Sequence, residues 1–133
     1  MNKQSLQEIE PLLNEMATWP GILSYGVFGS FATGRQNQAS DIDLAFDFGK
    51  KIEDRLFLAH LSKISLLTNR QVDLIDLRKT EVPFLSEILK TILWIKKDDL
   101  AVSQLYRKNI FDRQDFLPLK QKIQINRLKR LKI

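Results

Sequence analysis

The stretch GSFATGRQNQASDID, residues 29–43, constrains the fold of this chain more than any other segment. It joins an apolar run at 22–28 to a second apolar run that opens at Leu44. A Gly-Ser pair closes the first run, and ten residues separate Ser30 from Asp41-Ile42-Asp43. In an extended strand, successive side chains point to opposite faces, so Asp41 and Asp43 share a face about 6.6 Å apart, while Ile42 and Leu44 point into a core. The segment therefore predicts a strand, a short turn or helix over 30–34, a loop, and a second strand that carries acids at its start.

Two carboxylates so close repel each other unless a cation sits between them. Phosphoryl transfer with two metals uses ions about 3.5–4 Å apart, a spacing that shared carboxylates supply. Mg²⁺ favours such oxygen donors and keeps part of its water. Gly29 has no Cβ, so the backbone there can lie against a ligand. Ser30 opens the turn, whose free N–H groups suit phosphate oxygens. Separately the pieces say little, since D-x-D is usually a solvated strand face and Gly-Ser a turn. Their conjunction, in this order and at this spacing, marks a candidate site for a nucleoside triphosphate with two Mg²⁺ ions.

A third acid fits the pattern. Residues 71–77 read QVDLIDL, a strand with Asp73 near its start. Asp73 is taken as the third ligand, placed also to help deprotonate an attacking hydroxyl. Asp76, three residues on, faces the other side of the strand, where it ends the strand or caps the turn at 77–80.

The remaining chain reads as one α/β (α+β) domain. Its 133 residues are 44% hydrophobic and 28% charged, an ordinary globular balance. No apolar run approaches the ~20 residues of a membrane span. MNKQSLQEIE has no apolar signal-peptide core, so a cytoplasmic location is expected. The absence of cysteine excludes disulfides and thiolate metal sites. Leu6, Ile9, Leu13 and Met16 predict a helix over 3–18, broken by Trp19-Pro20-Gly21. Strands are expected at 22–28, 41–48 and 71–77, with a long helix over 52–69 and a short fourth strand at 91–95. Pro83 opens a short helix, and Asp98 or Asp99 caps a last one running to about Ile110. If Asp41 lies beside Gly29, the first two strands are antiparallel. If Asp73 joins Asp41 and Asp43, the second and third are parallel, with the helix at 52–69 as their right-handed crossover. The expectation is a mixed sheet with helices packed on one face and the acids at one end.

These motifs resemble the minimal nucleotidyltransferases (MNT) of the DNA polymerase beta superfamily. The resemblance spans roughly 22–95, with its sharp features at 29–44 and 72–77, and it implies a polymerase-beta-type nucleotidyltransferase fold. The chain looks most like the antitoxin of HEPN–MNT toxin–antitoxin pairs, many of which carry a V-D-L-x-D-L-R string, here at 72–78. That resemblance implies an enzyme that attaches AMP from ATP to a tyrosine of a HEPN ribonuclease and silences it, hence a hetero-oligomer. It also implies that Gly29 and Ser30 hold the triphosphate and that Asp41, Asp43 and Asp73 bind Mg²⁺. Thr33 departs from it, since many relatives carry Arg before the glycine. Arg35 follows Gly34 instead, as a phosphate contact or a solvated loop cation.

Two other readings stand beside this one: a binding antitoxin with a vestigial nucleotide site, and a stand-alone transferase acting on RNA or a small molecule. Residues 118–133 hold six Lys and Arg and no acid, so the net +5 of the chain falls to −1 without them. The segment is read as a basic C-terminal helix or tail beyond a domain at 1–117. It docks on an acidic partner, stays a solubilising tail, or, less in keeping with its lack of aromatics, meets nucleic acid. His60, Trp19 and Trp94 are assigned to structure rather than chemistry.

Overall fold

The computed structural model describes residues 1–112, with side chains through 110. In chain order these residues form α1 (Lys3–Ala17), β1 (Ser24–Phe28), α2 (Gly29–Thr33), β2 (Ile42–Asp47), α3 (Asp54–Ser65), β3 (Val72–Asp76), α4 (Phe84–Thr91), β4 (Leu93–Lys96) and α5 (Asp99–Asp112). The division at 117 and the basic segment 118–133 lie outside the described residues.

Local chemistry starts and stops these elements. Asn2 caps α1 by accepting from the Ser5 amide at 2.8 Å, and Asp98 caps α5 by accepting from Ala101 at 2.9 Å. Gly34 ends α2 in the left-handed region, at φ 75°. The apolar pattern had predicted a helix over 52–69, but α3 is shorter at both ends. The Ile52 amide donates to Asp76 Oδ2 at 3.1 Å, which holds that residue outside the helix. At the other end Leu66 and Leu67 are exposed, so the leucines there extend the apolar pattern without adding to the core.

The strand order is β3-β2-β1-β4. β1 and β2 are antiparallel, with Phe28 opposite Asp43. β2 and β3 are parallel, with Asp43 opposite Asp73, and α3 makes the crossover between them. β4 pairs antiparallel with β1 on the far side. Gly26 permits that pairing, because a Cβ there would collide with the Leu93 carbonyl.

Two apolar clusters flank this mixed sheet. One joins Ile9, Leu12 and Met16 of α1 and Ile64 of α3 to Val27, Leu44 and Phe46 of the strands. The other joins Leu85, Ile88 and Leu89 of α4 and Leu105 of α5 to Phe28 and Ala45. Helices thus pack on both faces rather than on one. The reason lies in β2, where Leu44 and Phe46 are buried on one side and Ala45 on the other. A central strand apolar on both sides needs cover on both sides. His60 is buried and stacks on Trp19 at 3.9 Å between ring centroids, and burial lowers its pKa. Among the described residues no helix is long and apolar enough to cross a membrane.

A buried ion pair fixes the end of β2. The Asp47 side chain is fully buried, and Arg78 donates to it twice, Nε to Oδ1 at 2.7 Å and Nη2 to Oδ2 at 3.1 Å. Arg78 also donates to the Ala101 carbonyl and to Gln104 Oε1, which ties the turn after β3 to α5. Asp76 forms the turn as expected, accepting from the Ile52 and Arg78 amides. Removing one member of a buried pair leaves the other charge without compensation. Arg78→Ala is therefore expected to destabilise the fold by about 3–5 kcal/mol in urea unfolding, against less than about 0.5 kcal/mol for exposed Lys90→Ala.

Candidate active site

The sheet brings the predicted acids to one end. Asp43 and Asp73 are register partners on neighbouring parallel strands, which lie about 4.8 Å apart. Asp41 immediately precedes β2 and is exposed, as is Asp73, while Asp43 is half-buried. Burial raises the Asp43 pKa from 3.8 to about 6, assisted by the charge of Asp73, a hydrogen bond shared with Asp73, and the charge of Asp41. The Asp43 carboxyl thus gives up its proton less readily than an isolated aspartate does.

The Gly-Ser bend lies against this pair. Gly29 sits at φ 70°, and a Cβ there would overlap the Asp43 carboxylate. The glycine is required twice, for the left-handed backbone and for the space Asp43 occupies. Ser30 follows in α2, whose N-cap, Phe28, makes no side-chain capping hydrogen bond. The first amides of a helix have no partner within it, so those of α2 can receive an anion beside the acids. Arg35 is exposed in the following loop, its amide donating to the Ser30 carbonyl at 2.9 Å.

The donor set is hard carboxylate oxygen, which suits Mg²⁺. Asp43 and Asp73, as register partners, offer oxygens from two neighbouring strands to one cation. Among the described residues, however, no three His, Cys, Asp or Glu side chains converge tightly enough to form a ready metal cluster. Asp41 and Asp73 are exposed, and Asp43 is half-buried between them and the Gly29 bend. The chemistry of the pair fits a divalent ion, and Asp41, two residues before Asp43, is a third candidate donor.

One residue here was missed by the sequence reading. Arg70 reaches back from the start of β3 and donates to the carbonyls of Asn37 at 2.6 Å and Ser40 at 2.9 Å. It also pairs with Glu8 of α1 and lies over the Phe31 ring, 5.0 Å from its centroid. The available signal was a cation two residues before the apolar start of a strand that bears an acid, which is too common to single out.

The profile of the family described as Polymerase beta, Nucleotidyltransferase matches residues 7–100. Among solved structures, the chain is similar to one from a toxin–antitoxin complex with AMP-PNP, at 21% identity and a TM-score of 0.69, over 92% of this chain and 97% of that one. It is similar to one from tri-AMPylated Shewanella oneidensis HEPN toxin in complex with MNT antitoxin, at 19% identity and a TM-score of 0.65, over 96% and 99%. A chain of the toxin–antitoxin MntA–HepT matches at 18% identity and a TM-score of 0.64, again over 96% and 99%. No protein of curated function matches. At these identities the structural likeness establishes the fold.

Two outcomes follow from the geometry. A folded-state pKa of about 6 against 3.8 means that Asp43 favours folding fully below pH 3.8, and that this contribution is lost as pH rises through 6. In chelator, Asp43→Asn should match the parent's melting temperature below pH 3.8 and exceed it at pH 8. The gain should be about 1 kcal/mol, discounted because the group is half exposed. Gly29→Ala should cost at least about 1 kcal/mol in urea unfolding, for its positive φ and for the displaced carboxylate.

Proposed function

The chain belongs to the polymerase beta nucleotidyltransferase family, and on that premise we propose that it transfers AMP from ATP to a hydroxyl, that of a tyrosine on a HEPN-type ribonuclease toxin, and so acts as the toxin's antitoxin. The observation that carries the reading is the set of uncompensated acids, Asp43 opposite Asp73 with Asp41 at the strand's entry, against the Gly29 bend. The acceptor comes from the structural neighbours: in the Shewanella oneidensis complex the HEPN toxin bound to its MNT antitoxin is tri-AMPylated. The nucleotide is consistent with AMP-PNP in another neighbour.

In this mechanism the amides at the start of α2 and the Ser30 hydroxyl bind triphosphate oxygens, and Gly29 lets the chain approach them. Asp41, Asp43 and Asp73 would hold two Mg²⁺ ions, which supply neutralisation of the triphosphate charge. Asp73, exposed on an edge strand, takes the proton of the incoming hydroxyl. The acceptor oxygen then attacks the α-phosphorus in line. The new oxygen–phosphorus bond forms, the bond to the β-phosphate bridging oxygen breaks, and pyrophosphate leaves. Held geometry and prearranged charge supply most of the acceleration.

The test is label transfer from ATP labelled at the α-phosphate, with Mg²⁺ and a purified HEPN partner. Label should appear on the partner, and Asp41→Ala or Asp43→Ala should reduce it at least about a hundredfold while the fold is retained. Full labelling by both variants would remove the site from the reaction. If an unlabelled partner is neutralised equally well by Asp43→Ala, binding alone is the function. Label on RNA or a small molecule, with none on protein, would reassign the acceptor.

A further inference from the structure

We propose that Arg70 is a positioning residue of this site, holding the loop that delivers Asp41 in register with the strand that delivers Asp73. The inference rests on the reading of Asp41, Asp43 and Asp73 as the ligand set. Its own support is independent of that reading.

The loop between α2 and β2 must carry the chain from the Gly-Ser bend to Asp41, and its internal bonds form only a small turn. The Ala39 amide donates to Asn37 Oδ1 at 2.8 Å, and the Asn37 amide to the Ser40 hydroxyl at 2.8 Å. The Ser40 amide closes the turn on the Asn37 carbonyl at 3.2 Å. This turn is exposed along most of its length and lies on no apolar cluster. One guanidinium nitrogen, Nη1 of Arg70, bonds both carbonyls at its two ends, Asn37 and Ser40. Ser40 is the residue before Asp41, so the bond fixes the peptide from which the Asp41 side chain departs.

The remaining faces of the guanidinium fix Arg70 itself. Nε and Nη2 are held by the two carboxylate oxygens of Glu8. The ring of Phe31, buried in α2, lies beneath its plane. The Arg70 side chain is only 17% exposed, so its charge acts with little screening. The next residue completes the register, as the Gln71 carbonyl accepts the Ile42 amide at 2.9 Å. One side chain thus joins α2, the loop and α1 to a residue two positions before β3 and three before Asp73. A planar fork with five donors can do this, and a lysine ammonium cannot satisfy the same set or stack on the ring.

The test uses the full chain and two readouts besides activity. The first is Mn²⁺ affinity by electron paramagnetic resonance, and the second is hydrogen exchange of the amides at 37–42. Arg70→Lys, which keeps the charge opposite Glu8, should weaken Mn²⁺ binding about tenfold and speed exchange at 37–42, with exchange in β1 and α1 unchanged. Glu8→Gln, which leaves both carbonyl bonds in place, should change Mn²⁺ affinity less than threefold. An Arg70→Lys variant that binds Mn²⁺ like the parent, with loop exchange unaltered, overturns the proposal. So does a loss of protection spread evenly over the chain, since that is a general loss of stability. Parent protein that binds no Mn²⁺, together with faster loop exchange in Arg70→Lys, would instead sink the ligand reading while leaving Arg70 as the clamp of the loop.

Discussion

Like charges placed side by side on adjacent strands are the constraint around which this molecule is arranged. β2 and β3 together carry four aspartates, and the fold treats them in two ways. Asp47 is fully buried and receives two hydrogen bonds from Arg78. Asp76 is buried and receives two backbone amides. Asp43, at the other end of the same strands, meets the charges of Asp73 and Asp41, which help to raise its pKa. A folded chain tolerates uncompensated acids at a cost in stability, one that a bound cation removes. Compensation therefore separates the aspartates that build the sheet from those proposed to bind metal.

Parallel pairing links the two ends. It demands a crossover, and α3 provides it while covering one face of the sheet. It also sets Asp43 and Asp73 level, because parallel strands that start at the same edge bring equivalent residues into register. The antiparallel partner β1 ends where β2 begins, so its continuation into α2 returns the Gly29 bend to the same place. Three chain segments distant in sequence meet at one end of the sheet, brought there by hydrogen-bonded register.

Much of this was legible beforehand. The alternation through Asp41-Ile42-Asp43-Leu44 fixed which residues face the core, and the apolar runs located the strands. Asp73 and Asp76 were separated by strand parity, and the structure places them on opposite faces in the roles of register partner and turn former. The layering was not legible. Phe28 and Ala45 turn to the second face, but nothing local says which helices cover them. His60 reads as a surface or half-buried helix residue, and only the stacking of Trp19, some forty positions away, shows it to be buried. Arg70 escaped for a related reason. Its partners Glu8, Phe31, Asn37 and Ser40 come from three segments, and a cation's importance depends on what surrounds it rather than on its neighbours in sequence.

Asp73 has a further consequence through its place in the sheet. β3 is an outermost strand, paired among the described residues with β2 alone, and its outer backbone groups offer a template on which another extended chain can add. An exposed carboxylate near the start of that rim disfavours such addition. The same side chain therefore works against pairing between copies of the molecule, and an acid at that position serves the fold whether or not it binds a metal.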